Sequence, residues 1–154
     1  MSELVFRDAR IEDVPAVLAL SDAGLAPGLE RAAEAPNAAD PRYTAAFAAI
    51  DADPSHRLIV AESGGEVVGT FQVSIIPGLP NFGMIRGQLE NVHVRADQRG
   101  KGVGSAMMRW AIDHCRERGC GLVQLTSNKA RSDAHRFYEA LGFTRSHEGF
   151  KLKL

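Results

Sequence analysis

The chain has 154 residues, 45% of them hydrophobic and 24% charged, and its formal net charge is −1. This size fits a single globular domain over residues 1–154, and the near-neutral charge indicates no general attraction to nucleic acid or to an anionic membrane. We expect a cytoplasmic protein, because no apolar run reaches the roughly 18–20 residues of a membrane span and the first residues lack the apolar region of a signal peptide.

The first half of the chain predicts two helices and three strands, two of which form a hairpin. In chain order we expect a strand at 4–7, a helix at 11–20, a loop with short helical pieces at 21–41, a helix at 41–50, and strands at 56–61 and 66–76. The turn Ser63-Gly64-Gly65 between the last two runs is typical of a tight hairpin, since glycine accepts positive φ.

The second half predicts a strand and helix pattern that ends in strands. We expect an apolar loop at 77–87, a strand at 88–94, a helix at 104–118, a short buried strand at 122–126, a helix capped by Ser132 and ended by Gly142, and strands at 143–146 and 150–154. Helices alternating with mainly antiparallel strands indicate an α/β fold, in which a mixed sheet carries helices on both sides.

The cysteines and histidines predict neither a disulfide framework nor a metal site. Cys115 is expected on the inner face of a helix and Cys120 at the start of the next strand, both as reduced thiols. His114 adjoins Cys115, but no second ligand pair with zinc spacing exists, so we expect no metal. Four histidines are interpreted as surface or turn residues: His56, His114, His135 and His147.

A glycine-rich loop, residues 99–105, stands between a predicted strand and the most strongly amphipathic helix. Its sequence is Arg99-Gly100-Lys101-Gly102-Val103-Gly104-Ser105. Such a loop points backbone N–H groups and the positive end of a helix dipole at one spot, which suits a phosphate group. Arg95 replaces the first glycine of a P-loop, and Ser105 replaces the last glycine of the Rossmann fingerprint, so neither motif fits. A turn that merely lets a helix start is the alternative.

Three segments in order carry a family resemblance. They are the R-x-x-G-x-G pattern at 99–104, the strand end Leu125-Thr126-Ser127-Asn128, and an F-Y-x-x-x-G-F pattern from Phe137 to Phe143. Together with the upstream hairpin they resemble the GNAT superfamily of acetyl-CoA-dependent N-acetyltransferases over essentially the whole chain. The resemblance implies a mixed, mostly antiparallel sheet that is splayed at its middle, with acetyl-CoA bound in the cleft as co-substrate and no metal.

The resemblance also implies which residues bind the cofactor. The strand backbone would pair with pantetheine, and the loop amides would hold the diphosphate. The expected contacts are Val92, His93, Val94, Arg99, Gly100, Lys101, Gly102, Val103, Gly104, Ser105, Asn128, Asp133, Ala134 and Phe137. Two of them have structural alternatives: Asn128 as an Asx-type turn cap and Asp133 as a first-turn acid that complements the helix dipole.

Two side chains are candidates for proton transfer. An acceptor amine has a pKa near ~10.4 and must lose a proton, and the leaving thiolate must be stabilised. By the resemblance, Glu90 is the general base, directly or through a water, and Tyr138 is the general acid. The alternatives are a solvent-facing Glu90 or one paired with Arg86, and a core tyrosine. His93 ranks behind Glu90, since in a regular strand it lies on the opposite face; a bulge would change that parity.

The sequence does not identify the acceptor amine or the oligomeric state. Residues 21–42 and 77–87 are expected to build the acceptor pocket for a small-molecule or peptide amine. The acids that could attract the amine are Asp22, Glu30, Glu34 and Asp40; the apolar contacts are Phe82, Met84 and Ile85, with Arg86 for a carboxylate. A non-catalytic acyl-CoA-binding sensor or scaffold is the alternative function. A homodimer is possible, with the alternating residues 150–154 at the contact.

Overall fold

The computed structural model describes residues 2–23 and 37–154. Its strands are β1 (Leu4–Asp8), β2 (His56–Ser63), β3 (Glu66–Ile76), β4 (Ile85–Val94) and β5 (Cys120–Leu125). Its helices are α1 (Val14–Ala23), α2 (Pro41–Ala52), α3 (Pro80–Gly83), α4 (Val103–Glu117) and α5 (Ser132–Ala140), with short 3-10 turns at Ile11–Asp13 and Ala96–Gln98.

The five strands form one mixed sheet in the order β1-β2-β3-β4-β5. The first four are antiparallel neighbours, whereas β4 and β5 are parallel because α4 carries the chain back between them. The β2–β3 hairpin closes through Gly64 and Gly65, whose φ values are 59° and 81°. The α/β class, the mixed sheet and the hairpin predicted from the sequence are confirmed.

Both faces of the sheet are covered. On one face α4 contributes Met107, Ala111 and Cys115 to a cluster with the sheet residues Ile59 and Phe71. Adjacent strand residues point to opposite faces, and Val60 is as fully buried as Ile59. The second face is therefore also covered, and α1, which carries the buried Val14 and Leu20, packs against β3 and β4.

Several element predictions need correction. Residues 21–23 extend α1, and the predicted loop at 77–87 contains the single turn α3 and the first residues of β4. β5 is not fully buried, since Gly121 and Leu122 are exposed at the edge of the sheet. Ser132 is the first residue of α5 rather than its cap, and Arg131 occupies the cap position. The rest of the predicted loop, 24–36, lies outside the described residues.

The two strands predicted at the C-terminal end of the sequence, 143–146 and 150–154, are absent. Residues 143–154 contain no strand, in contrast to the prediction. Among residues 2–23 and 37–154 the backbone of residues 147–154 finds no hydrogen-bond partner, so the alternating pattern does not become a strand. The prediction that His114 is a surface residue is also wrong, because it is 9% exposed and stacks on Trp110 with ring centroids 5.4 Å apart.

Candidate active site

The glycine-rich loop presents a row of free backbone donors. Gly100 and Gly102 adopt positive φ values of 75° and 85°, and a Cβ at either position would meet nothing within 4 Å. The first helical hydrogen bond of α4 runs from Ala106 to the carbonyl of Gly102. Among the described residues, the N–H groups of residues 100–105 have no backbone or side-chain acceptor. Because the residue at the N-cap position of α4 is Gly102, no side chain caps the helix. The loop can therefore receive an anion.

Gly104 of the glycine-rich loop lies against both the strand before the loop and the F-Y-x-x-x-G-F segment. A Cβ at this position would lie 3.3 Å from the Cζ atom of Phe137 and 3.7 Å from the Cγ2 atom of Val94. The first turn of α4 thus contacts both the end of β4 and the middle of α5. Only glycine allows this approach without displacing the Phe137 ring, which explains the third glycine of the loop.

The edge of β4 beside this junction is free. Strand β5 pairs with β4 only over residues 85–89, and the following residues 90–94 pair with β3 alone. The carbonyl of Val94 accepts a bond from Nε of Arg99 at 3.3 Å. The remaining backbone N–H and C=O groups on this side of β4 have no strand partner in the described part of the chain, and an extended amide chain can form hydrogen bonds with them.

A β-bulge in β4 brings Glu90 and His93 to the same face of the sheet. His93 lies opposite Thr70 and Glu90 opposite Gln72, so two residues of β4 face one residue of β3. Asn91 in the bulge has a φ of 53°. Because Thr70 and Gln72 share a face and cross-strand partners point the same way, Glu90 and His93 share it too. The parity expected for a regular strand is wrong here.

The side chains of Glu90 and His93 differ in their environment. Glu90 is exposed and has no hydrogen bond or ion pair among the described residues, so the alternative pairing with Arg86 does not occur. His93 is half-buried, and burial, with Arg131 and Arg99 nearby, lowers its pKa. Its imidazole is therefore neutral at pH 7 and can accept a proton.

Tyr138 lies on α5, and its ring packs against two other aromatic rings. Its ring lies 5.2 Å from that of Phe137 and 5.8 Å from that of Phe143, both edge-on. Burial raises its pKa, and the charge of Arg131 partly opposes this effect. Within the described residues the hydroxyl has no protein hydrogen-bond partner, and its oxygen is not among the fully buried atoms of this part of the chain. A protonated phenol is thus available as a donor.

Asn128 and Asp133 show the structural roles considered as alternatives. Oδ1 of Asn128 accepts a bond from the N–H of Ala130 at 2.9 Å, which makes an Asx-type turn. The backbone carbonyl of Asn128 receives bonds from the N–H of Arg131 and from Nε2 of His135. Asp133 lies in the first turn of α5 and is exposed. Any contact of these two residues with a cofactor stays a prediction.

Arg131 is a site residue that the sequence reasoning missed. It caps α5, makes no ion pair within the described residues, and its charge affects both His93 and Tyr138. The sequence contains one signal for it, since a cation at a helix start opposes the helix dipole and so needs another reason to be there.

The expected acceptor residues are scattered. Asp40 caps α2 and pairs with Arg42 at 2.6 Å, Met84 packs against Gly121, and Ile85 packs on the core. Phe82 is fully exposed. Glu30 and Glu34 lie outside the described residues. An open depression between α2 and the start of β2, lined by Phe47, Asp51 and His56 among others, contains none of the predicted site residues.

Residues 2–23 and 37–154 contain neither a candidate metal cluster nor a candidate membrane span. No group of three or more His, Cys, Asp or Glu side chains in these residues could hold a metal ion. None of their helices is both long and apolar enough to cross a membrane. Cys115 and Cys120 are free thiols, and burial raises the pKa of Cys115 to about 12.

Known proteins are similar to this chain in sequence and fold. The profile of the Acetyltransferase (GNAT) family matches residues 27–143. The aminoalkylphosphonate N-acetyltransferase of Salmonella typhimurium is 36% identical over 104 residues, which cover 68% of this chain and 67% of that protein. A crystal structure described as a transcriptional regulator from Bacillus halodurans C-125 has a TM-score of 0.90 at 39% identity, covering 99% of this chain and 100% of the other.

A third likeness concerns the fold alone. A crystal structure of a predicted acetyltransferase with acetyl-CoA, from Clostridium acetobutylicum, has a TM-score of 0.71 at 20% identity, with 98% of this chain and 96% of the other covered. The family match spans more than half of the chain, includes the glycine-rich loop, and agrees with the mixed sheet and the free β4 edge. This chain therefore belongs to the GNAT family of acetyltransferases, whose members use acetyl-CoA.

Proposed function

We propose that this protein transfers the acetyl group of acetyl-CoA to a primary amine of a small molecule or peptide, by direct attack in a ternary complex. The observation that carries the proposal is the junction at Gly104. There the free amides of the glycine-rich loop and the unpaired edge of β4 adjoin α5, which carries Tyr138. Such an arrangement can bind an anionic, amide-containing cofactor and supply a proton at its far end.

The chemistry of acetyl-CoA fits these residues. Its diphosphate needs clustered donors, which the N–H groups of residues 100–105 offer without competing partners. Its pantetheine is an amide chain, and the backbone of Val92, His93 and Val94 on the unpaired side of β4 provides ladder partners for it. Lys101 adds charge beside the diphosphate, while the Arg99 side chain is already bonded to Val94. In this proposal the loop backbone binds more strongly than the Arg99 side chain.

The proposed reaction uses two proton transfers. The neutral amine nitrogen attacks the thioester carbonyl carbon; a C–N bond forms and the C–S bond breaks. Glu90 takes the proton lost by the amine, directly or through a water, and Tyr138 gives its hydroxyl proton to the departing thiolate. The raised pKa of Tyr138 keeps that proton in place at neutral pH until the thiolate forms. A backbone N–H near His93 or Val94 polarises the carbonyl oxygen.

His93 is the second candidate for the base. The bulge at Asn91 places it on the same face as Glu90, about two strand residues away, which is ~7 Å. Its lowered pKa keeps the imidazole neutral, so it is ready to accept a proton. Either group, or both through one water, can serve an amine that approaches from this face.

The acceptor is proposed to be a small-molecule amine. The Salmonella relative is by its name an N-acetyltransferase of aminoalkylphosphonates, and 36% identity over 104 residues supports a related class of acceptor. We also propose that residues 1–154 are one catalytic domain and that the protein works in the cytoplasm. The two free thiols suit a reducing compartment.

A catalytically inactive acyl-CoA sensor is the second candidate function. It is favoured by one observation, the description of the Bacillus halodurans structure as a transcriptional regulator. The presence of both Glu90 and the half-buried Tyr138, whose hydroxyl has no protein partner within the described residues, argues against it, because a binding module needs no proton acceptor or donor. The two candidates differ in turnover and agree in cofactor binding.

The experiment that tests the proposal is a panel of amine acceptors assayed for acetyl-CoA-dependent release of free CoA. The panel includes aminoalkylphosphonates, amino acids, polyamines and short peptides, with a control that lacks acceptor. The proposal expects CoA release above the control with at least one amine and acetylated amine in equal amount by mass spectrometry. Cofactor binding by calorimetry without release for any amine would instead indicate the sensor.

A further inference from the structure

Three polar side chains of β4 lie in a row on the face of the sheet away from α4. Arg86, Gln88 and Glu90 are alternate residues, and their pairing with β3 is regular, so they share one face. The residue between the first two, Gly87, marks the opposite face, since a Cβ there would collide with Cys115 of α4. The row therefore shares its face with the proposed acceptor side of Glu90.

The two ends of this row carry opposite charges. Arg86 is half-buried, and among residues 2–23 and 37–154 its guanidinium makes no hydrogen bond or ion pair. Its cross-strand neighbours, Ile76 and Leu122, are apolar and offer it no counter-ion. Glu90 is likewise unpaired in this part of the chain. Because removing a charge from water without a partner costs free energy, a half-buried guanidinium favours binding of an anion.

Amide side chains lie beside the row between its charged ends. Gln124 of β5 pairs with Gln88, and its Nε2 donates to Oε1 of Gln88 at 2.7 Å. Gln72 lies opposite Glu90, and within the described residues its side chain makes no hydrogen bond. We call these five residues, with Arg86, the polar strip. Its middle is uncharged and can form hydrogen bonds, so a short polar molecule can lie along it.

We propose that Arg86 binds a carboxylate or phosphonate group of the acceptor whose amine lies at Glu90, an inference that rests on the proposed acetyl transfer. The acceptor is then a short amine with an anionic end. The Cα atoms of Arg86 and Glu90 are ~13 Å apart, from four residues of strand rise. Both side chains are long, so a few bonds between amine and anion suffice. The planar guanidinium can donate two parallel hydrogen bonds to either oxyanion.

The charge of Arg86 also disfavours other amines. A diamine would bring a second ammonium group toward the guanidinium and be repelled. An amine with a neutral end would leave the guanidinium without an anionic partner, and hydrogen bonds to a charged group contribute more than those between neutral groups. Arg86 is therefore a specificity-determining residue, which acts on binding of the acceptor rather than on the proton transfers at Glu90.

Kinetics with matched acceptors test this role. Aminoethylphosphonate and β-alanine carry an anion, whereas ethanolamine and propanolamine are neutral. We expect Arg86→Gln to lower kcat/KM for the anionic amines by ~10-fold or more, chiefly through KM, and to leave the neutral amines unchanged. Arg86→Lys should restore part of the loss, since it keeps the charge. Arg109→Gln, on the exposed side of α4, is the matched control and should change neither class. Equal effects of Arg86→Gln on both classes would overturn the proposal.

Calorimetry in the presence of CoA separates this inference from the proposed function, because CoA has no acetyl group to transfer. We expect an anionic amine to bind the CoA complex of the unmodified protein and to bind that of Arg86→Gln ~10-fold or more weakly. Binding that depends on Arg86 without any acetylation would refute the proposed reaction alone. Failure of both anionic amines to bind, or equal binding by a folded Arg86→Gln variant, would refute the role of Arg86 whatever the turnover. Circular dichroism checks the fold of each variant.

Discussion

Glu90 and His93 share one face of the sheet although they are three residues apart, because the bulge at Asn91 inserts one extra residue between them. In a regular strand this spacing would place them on opposite faces. The bulge therefore gives the proposed acceptor face two groups able to take a proton, of which one is exposed and the other half-buried.

The pH dependence of turnover should distinguish the two bases. Since burial and neighbouring arginines lower the pKa of His93, an imidazole base gives kcat/KM an acidic limb below pH 6.5, the ordinary value. We expect His93→Gln to remove that limb if His93 is the base. Glu90→Gln should lower kcat by ~10²-fold or more across the whole range if Glu90 is the base. If neither variant changes kcat or the profile, both assignments are wrong.

Replacing Tyr138 by phenylalanine should separate chemistry from binding. The variant loses only the hydroxyl group, so we expect kcat to fall by ~10²-fold or more while acetyl-CoA binding measured by calorimetry stays within about twofold. Tyr43→Phe is the matched control, because Tyr43 lies on α2, away from the junction at Gly104, and should leave kcat unchanged. Equal kcat for Tyr138→Phe and the unmodified enzyme would refute the role of Tyr138 as an acid.

Substitution of Gly104 in the loop should change acetyl-CoA binding, whereas substitution of Gly119, outside the loop, should change only stability. Gly104→Ala places a Cβ 3.3 Å from the Phe137 ring, so it should raise KM for acetyl-CoA by displacing α5 from the loop. Gly119→Ala, at a φ of 77° after α4 with open space around it, should cost about 1–2 kcal/mol of unfolding free energy and leave KM unchanged. Steady-state kinetics and urea titrations of both variants test this difference; unchanged KM for Gly104→Ala would contradict it.

The stability of the protein should fall in acid because of His114. Nδ1 of this side chain lies 3.4 Å from Nη1 of Arg57, while its buried Nε2 has no partner in the described part of the chain. Burial lowers its pKa, aided by Arg57 and Arg118 and opposed by Glu117 and Asp8. The unfolded state therefore binds the proton more readily than the folded state.

This difference sets the sign of the pH effect. The contribution to the free energy of unfolding is complete above the ordinary pKa of ~6.5 and is lost as the pH falls from there through the lowered folded value. Urea titrations between pH 5 and pH 8 should show a shallower pH dependence for His114→Phe, which keeps the stacking on Trp110. A slope identical to that of the unmodified protein would show that His114 does not titrate differently in the folded state.

The sequence predicted the parts of the fold that local chemistry decides. The diglycine of the hairpin, the amphipathic pattern of α4 and the stop at Gly119 each require one local conformation, and the structure has it. The same holds for the glycine-rich loop, since its free donors follow from positive φ at Gly100 and Gly102 and from the start of a helix.

The remaining features depend on contacts between distant residues. The bulge at Asn91 is set by the pairing of β4 with β3; asparagine tolerates the positive φ there, but one asparagine in a strand does not specify a bulge. His114 is buried by Trp110 and Arg57, which lies 57 residues earlier in the chain. The effect of Arg131 on His93 and Tyr138 exists only after α5 docks beside β4. The strand predicted at 150–154 is absent although the outer edge of β5 has no strand partner among the described residues, so alternation by itself does not make a strand.

Calorimetric titration of the folded protein with acetyl-CoA tests the central claim most directly, because the claim is that the amides of residues 100–105 and the free edge of β4 bind this cofactor. We predict saturable heat with one molecule bound per chain, and weaker binding for Gly104→Ala. A folded, unmodified protein that gives no heat and no saturation with acetyl-CoA would contradict the account.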